Sequence, residues 1–566
     1  MKRRNIVFYR PSRISPDEKK GILSRFWARD PSLWSSDPAE QEGIRNRLGW
    51  ISNMAAMREA IPEIEDFSRE VVDFGFRRVI LLGMGGSSLC ALVLEKTFPR
   101  KDAFPRLIVL DTTDPDQIET VQKDGDLDTT LFIFASKSGT TIEPNAQFRH
   151  FWSMIEGKVP QPGRHFVAIT DPGTPLEALA QERGFRKVFL NQPDIGGRYS
   201  ALSFFGLVPA AILGIEPGRI LDRAEEMQKR CSGDVPWERN PGCILAEFLA
   251  ENALQNHDKL SILADPALSS FGLWLEQLLA ESSGKETRGI VPIVGETTGI
   301  PGFYGGERMF VYLKLKETPE EDSLQGFVDE LKKAEFPVYV IELEDLADLG
   351  GQFFLWEMAT ALACHFLAVN AFDEPDVRHA KAKTSEVLEQ YAREGKMPVE
   401  FWVDPQSHIN FRTSAMVASS MKSLSRAIRD VVHILPSWGY FAFLPYLPEE
   451  PGVVEVIGEM RHLLRQEKGC ATTLGFGPRY LHSTGQLHKG GPLSSAFLIF
   501  TRKRARDYPP IPGMGISFWH LQFAQAAGDF EALSQVQKKV IHVHFGEDYH
   551  LGLQSFAKVF ARAIRS

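Results

Sequence analysis

The sequence predicts an α/β protein built from parallel sheets flanked by helices, in two such domains followed by a smaller C-terminal α/β domain. Three observations carry this. Strand-length apolar runs recur from about residue 70; most are followed by turn chemistry and a helix-like stretch; and the rhythm restarts at Leu260–Ala264. Alternation of this kind implies a parallel sheet covered on both faces.

Residues 1–60 read as a helical lead-in broken at Pro31 and at Asp37–Pro38. In the first domain, 61–238, strands are predicted at Val79–Leu82, Leu107–Leu110, Thr130–Ala135, Phe166–Thr170 and Lys187–Leu190. Pro217–Arg239 reads as a helical bridge into the second, 239–396. There strands are predicted at Leu260–Ala264, Ile290–Val294, Met309–Leu313 and Pro337–Ile341, and Gln352–Val369 as an amphipathic helix. From 397 to 566 helix-like Ala415–Ile434 and Val453–Gln466 mix with strand-like Ala496–Thr501 and Val540–His544.

Composition narrows the function classes. The chain has 566 residues, 43% of them hydrophobic, and a net charge of -9. That acidic balance argues against a general nucleic-acid binder, which needs a positive face. It leaves small anions open, because backbone amides and a few local cations can hold one phosphate. MKRRNIVFYRPSR lacks the apolar stretch of a secretory signal, and runs such as Gly206–Ile215 are too short to span a bilayer. Five scattered cysteines with no CxxC pair fit reduced, buried thiols in a cytoplasm and give no zinc signature.

The strongest local chemistry lies in LFIFASKSGTTIEPN. A strand ending at Ala135 is followed by Ser136, Lys137, Ser138, Gly139, Thr140 and Thr141, then by a helix from about Glu143. Hydroxyls, amides and the helix dipole there favour an anion. An ordinary N-cap explains one or two of those hydroxyls, not four. VILLGMGGSSLC places Gly83, Gly85 and Gly86 in a turn before Ser87 and Ser88. Ser88 replaces the third glycine of a dinucleotide fingerprint, so a nicotinamide dehydrogenase with Asp111 as ribose acid is a poor third choice. A small ligand at that turn and a bare tight turn are equally good readings.

DIGGRYSALS brings Arg198 up behind paired glycines, where it could stabilise an anionic intermediate. LLAESSGKETRG sets Glu281 after an apolar helix face, a place for a proton shuttle. Lys381 follows Pro375 by one to two helical turns. In GPRYLHSTGQLHKGGP, residues Arg479, His482, Gln486, His488 and Lys489 could line an anion or sugar site. His542, His544, Glu547 and His550 have no good zinc spacing.

Taken together, these segments resemble glucose-6-phosphate isomerases, and specifically the isomerase module of bifunctional transaldolase–phosphoglucose isomerases, over about residues 40–566; the transaldolase half is expected to be absent. The resemblance implies two sugar-isomerase domains, a sugar-phosphate substrate, no cofactor or metal, and a dimer. It implies substrate contacts at Gly86, Ser87, Ser136, Lys137, Ser138, Thr140, Thr141 and Glu143, and catalytic roles for Arg198, Glu281 and Lys381. Pro193 departs from the family's first signature, and Glu374 stands where the second carries glutamine. No histidine lies between Asp258 and Ala363, where the family's ring-opening histidine is expected, so His488 is the candidate and His482 the reserve. The rivals are an isomerase of broader specificity that includes mannose 6-phosphate, and an idle sugar-phosphate sensor.

Overall fold

The computed structural model describes residues 10–417, 423–503, 506 and 508–565. Its first sheet holds β1 (Arg78–Leu82), β2 (Arg106–Leu110), β3 (Thr130–Ala135), β4 (Phe166–Thr170) and β5 (Lys187–Leu190), in the order β2-β1-β3-β4-β5. All its pairings are parallel. RVILL, TLFIFA and FVAIT are buried along their whole length, as unbroken apolar runs must be when helices cover both faces. Strand order reverses between β1 and β3, and their carboxyl ends flank a crevice of the kind that admits ligands in open α/β sheets.

The second sheet holds β6 (Lys259–Ala264), β7 (Val291–Ile293), β8 (Arg308–Leu315) and β9 (Val338–Leu343), in the order β7-β6-β8-β9 and again parallel. Helix Phe271–Ser283 follows β6. Helix Leu349–Phe366 is not amphipathic: every residue but His365 is buried, because it runs between helices Pro217–Arg230 and Pro241–Leu254.

The C-terminal sheet holds β10 (Trp402–Val403), β11 (Asn410–Thr413), β12 (Tyr440–Pro445), β13 (Ala471–Leu474), β14 (Ser495–Arg502) and β15 (Lys539–Phe545), in the order β10-β11-β15-β14-β12-β13. Four strands are parallel; β11 and β10 extend the sheet antiparallel beyond β15. The helix predicted over Ala415–Ile434 is found only from Leu424 to Ile434, with 418–422 outside the described residues.

This last domain does not stand apart. Ala280, Val291 and Ile293 share an apolar cluster with Tyr440, Leu487 and Phe497, while Ile511 and Phe518 join the cluster beneath the first sheet. Helix Val377–Glu394, which the sequence assigns to the second domain, packs along helix Phe518–Gln535 of the third. All five cysteines are buried and free, and burial pushes the Cys231, Cys364 and Cys470 thiols up to about 12. Among the described residues no helix is long and apolar enough to cross a membrane.

Candidate active site

The Ser136–Thr141 loop leaves β3 at the crevice and runs into helix Ile142–Ile155. Gly139 turns it with a φ of +68°, and a Cβ there would approach the Leu176 amide nitrogen to 2.8 Å, so only glycine fits. Buried Ser136 braces the loop: its Oγ accepts the Gly139 amide at 3.2 Å and donates to Thr141 Oγ1 at 3.3 Å. Ser138 and Thr140 are exposed, their hydroxyls 2.9 Å apart, and remain open to a ligand. Lys137 differs from expectation. Its ammonium is committed to Asp171 and, at 2.9 Å, to the Pro193 carbonyl, so its charge is already neutralised. Only the backbone of Pro193 is used in this contact.

The Gly83–Ser88 turn and the Gly196–Tyr199 turn interlock. A Cβ on Gly86 would collide with the Gly197 carbonyl, and Ser200 Oγ donates to Gly86 O at 3.3 Å. Ser87 is half-buried beside this contact. Close approach of the two turns sets Arg198 inside the protein, where its Nη1 lies 3.1 Å from Glu281 Oε1 and 3.3 Å from Glu374 Oε2. Its Nη2 donates to the carbonyls of Ala371 (3.0 Å) and Asp373 (2.8 Å). Burial raises the Glu281 carboxyl above its ordinary value; Arg198 opposes the rise and the neighbouring Glu374 charge adds to it. Burial works the same way on Glu374, but Arg198 and Arg47 hold it below the ordinary range. The glutamate that departs from the family pattern thus has its own cation: Arg47 Nη1 reaches it at 2.8 Å.

A cavity of about 440 Å³ is lined by Thr140, Thr141, Glu143, Lys381, His482 and Gln525 among others. Glu143 Oε1 lies 2.9 Å from His482 Nε2 and accepts from Gln525 Nε2 at 2.7 Å. Burial acts to raise Glu143, yet the fields of His482 and Lys381 hold it below the usual carboxylate range. One residue joins cavity and pair: Gln277 Nε2 donates both to Glu281 Oε2 (3.1 Å) and to the His482 carbonyl (2.8 Å).

His488 is not brought to this site. It sits fully buried in the short helix Gly485–Gly490, its Nδ1 3.0 Å from the Tyr440 hydroxyl and its ring edge-on to Phe497; burial pushes its pKa well below the ordinary value. His482, six residues earlier, faces the cavity instead. The rest of that segment holds the site together. Arg479 binds both oxygens of Asp111, at 2.7 and 2.9 Å, which occupies the carboxylate a dinucleotide ribose would need. Gln486 accepts from the Asp376 amide (2.9 Å) and donates to Gly284 O (3.1 Å), tying the start of the Lys381 helix to the Glu281 loop. Lys489 forms a buried pair with Asp529 at 2.5 Å. His542 and His544 share the Thr501 hydroxyl at 2.8 and 2.9 Å, while Glu547 pairs with Lys503 and His550 with Glu450, so these four do not converge.

Sequence reasoning missed Arg47, Gln277, Lys285 and Gln525. Lys285 stands one turn beyond Glu281, buried against the Ser282 carbonyl (3.0 Å) and Asp373 (3.0 Å); burial and Arg198 push its ammonium down. ESSGK contains it, so its place was legible; the other three lie on plain helix or loop stretches without a motif.

Comparison with known proteins bears on the sequence and the fold. Residues 54–306 match the family model described as phosphoglucose isomerase. A glucose-6-phosphate isomerase of Carboxydothermus hydrogenoformans is 28% identical over 407 residues, covering 62% of this chain and 86% of its own. One from Synechococcus elongatus is 26% identical over 416 residues, covering 66% and 76%. Among solved structures, a hypothetical protein of Thermus thermophilus superposes with a TM-score of 0.57 at 25% identity, covering 66% of this chain and 95% of its own. A glucose-6-phosphate isomerase of Chlamydia trachomatis, 18% identical, shares the fold at a TM-score of 0.54, covering 67% and 85%. Over residues 54–306 the chain is thus similar to the phosphoglucose isomerases, and the matched stretch takes in Gly86, the 136–141 loop, Arg198 and Glu281.

Proposed function

We propose that the chain interconverts glucose 6-phosphate and fructose 6-phosphate through a cis-enediolate. The observation that carries this reading is the buried Glu281–Arg198 pair, 3.1 Å apart. Moving a proton between adjacent carbons needs one base that reaches both, held on a rigid element and made more basic than a free carboxylate. Glu281, on a buried helix and raised by burial, meets that need. Arg198 receives the negative charge that develops on the enediolate oxygens.

The substrate phosphate rests on Ser138 and Thr140, with Ser136, Thr141 and the helix amides completing the cradle and Gly86–Ser87 opposite. Lys137 supports the loop through Asp171 rather than binding phosphate. His482, oriented by Glu143 and flanked by Lys381, hands a proton to the ring oxygen when the pyranose opens. His488 plays no part. A homodimer in the cytoplasm is the expected setting, and light scattering checks the oligomer.

The test is turnover of fructose 6-phosphate by purified protein, read by coupling glucose 6-phosphate formation to NADPH production. Turnover between about 1 and 10³ s⁻¹ is expected. Folded protein that forms no product above the blank overturns the reading. Parallel assays with mannose 6-phosphate should give far lower kcat/KM.

A further inference from the structure

A second, larger cavity flanks the catalytic cleft. It measures about 760 Å³ and lies between helix Phe271–Ser283 and the C-terminal domain. Val294, Leu463, Leu474, Phe476 and Ala561 give it largely apolar walls. Into it faces Glu276, only 7% exposed, whose carboxyl has no hydrogen-bond or ion-pair partner among the described residues. Its oxygens border the cavity and are not sealed in the core, so a group that enters the cavity can satisfy them.

The charged groups around Glu276 define what could do so. Arg461 is spent on Thr472 and on the carbonyls of Val294 (2.9 Å) and Gly295 (3.2 Å). Arg479 is paired with Asp111 and, at 2.7 Å, with Glu449. The hydrogen-bonding groups of both arginines are thereby occupied, so an anionic ligand would have to displace internal partners, while their charges act on Glu276 only through space. The lining adds Glu455, Glu459 and Arg565, the last 3.7 Å from Glu467, and His462, whose ring is bonded to Arg465. What the cavity leaves open is a carboxyl set in apolar walls, which suits a ligand with a cationic donor head and a hydrocarbon body.

Two walls are shared with the catalytic cleft. Glu276 faces this cavity while the next residue, Gln277, holds Glu281. In the turn Arg479–His482, Arg479 and Tyr480 line this cavity while His482 lines the other.

We propose that this cavity binds a small organic amine with an apolar body, the ammonium pairing with Glu276, and that occupancy alters isomerase kinetics through Gln277 and His482. The binding half stands on the cavity alone; the coupling half rests on the functional reading above.

The probe is 2-phenylethylamine, titrated calorimetrically onto the full-length chain, with phenylacetate as its anionic counterpart. Saturable one-site binding of the amine is expected, with phenylacetate weaker by about tenfold or more. Glu276→Gln should weaken the amine by about tenfold. Gly458→Trp fills the cavity from helix Pro451–Lys468, where an added Cβ meets nothing within 4 Å, and should abolish binding even if the first variant folds poorly. Saturating amine should change KM or kcat for fructose 6-phosphate by about twofold or more in the wild type and not in Gly458→Trp. No saturable binding, equal binding of phenylacetate, or binding indifferent to both substitutions overturns the site. Binding with unchanged kinetics overturns the coupling. A chain that binds the amine but never turns over sugar phosphate sinks the isomerase reading instead, and leaves the binding site supported.

Discussion

At the residue scale Glu281 and Glu374 share Arg198. The Glu374 charge adds to the burial that raises Glu281, so replacing it moves a measurable pKa. Glu374→Gln should shift the acid limb of the kcat/KM profile to lower pH, because Glu281 then ionises more readily. A limb that stays put, or moves up, contradicts the assignment. Glu281→Gln should lower kcat by about 10²- to 10⁴-fold while sugar-phosphate binding persists. The two histidines separate cleanly. His482→Ala should depress turnover and, because it strips the buried Glu143 carboxylate of its histidine partner, should also cost about 1–3 kcal/mol of unfolding free energy. His488→Ala should cost about 1–3 kcal/mol of unfolding free energy through the lost Tyr440 contact, and leave the kinetics of the folded fraction unchanged. Both effects are read from denaturant titrations run beside the assay.

At the element scale the interlocked turns decide how precisely Arg198 is held. Gly86→Ala must push the Gly197 carbonyl out of the space the new Cβ would take, and misplacement of this kind can cost up to about a hundredfold in kcat/KM. Gly196→Ala is the control: its Cβ would make ordinary contacts of 3.5 Å or more and φ is -65°, so activity should survive. The strands that carry these turns were legible in the sequence because each is an unbroken apolar run ending in turn chemistry. The 136–141 loop was legible because its hydroxyls are local to one helix start. Helix Leu349–Phe366 was misread, since a segment wrapped by helices on all sides has no polar stripe to show. His482 and His488 could not be ranked from GPRYLHSTGQLHKGG, where both lie among glycines and polar residues. Packing alone separates them, and the Glu143 partner of His482 is 339 residues away in the chain. Arg47 and Gln525 act through similarly distant partners, and Gln277, though one helical turn from Glu281, gains its second contact from the His482 carbonyl 205 residues away.

At the scale of the whole molecule the C-terminal domain closes the cleft, supplying His482 and Gln525 to a site otherwise built by the first two sheets. Its junction with helix Phe271–Ser283 also buries Glu276, whose carboxyl burial pushes up from 4.5 to about 8, with Arg461 and Arg479 opposing. A carboxyl raised in this way stabilises the fold fully below pH 4.5, and the contribution is lost as pH rises through about 8. Glu276→Gln, always uncharged, should therefore lose less Tm than the wild type between about pH 6 and about pH 9. Equal losses would contradict the buried state of this group. Proton transfer between C1 and C2 is tested most directly by incubating the protein with fructose 6-phosphate in deuterated water. Glucose 6-phosphate carrying at least a fraction of deuterium at C2, with both turnover and exchange lost in Glu281→Gln, is the expected result; folded wild-type protein that yields no product, or a Glu281→Gln variant that retains exchange and turnover, would contradict it.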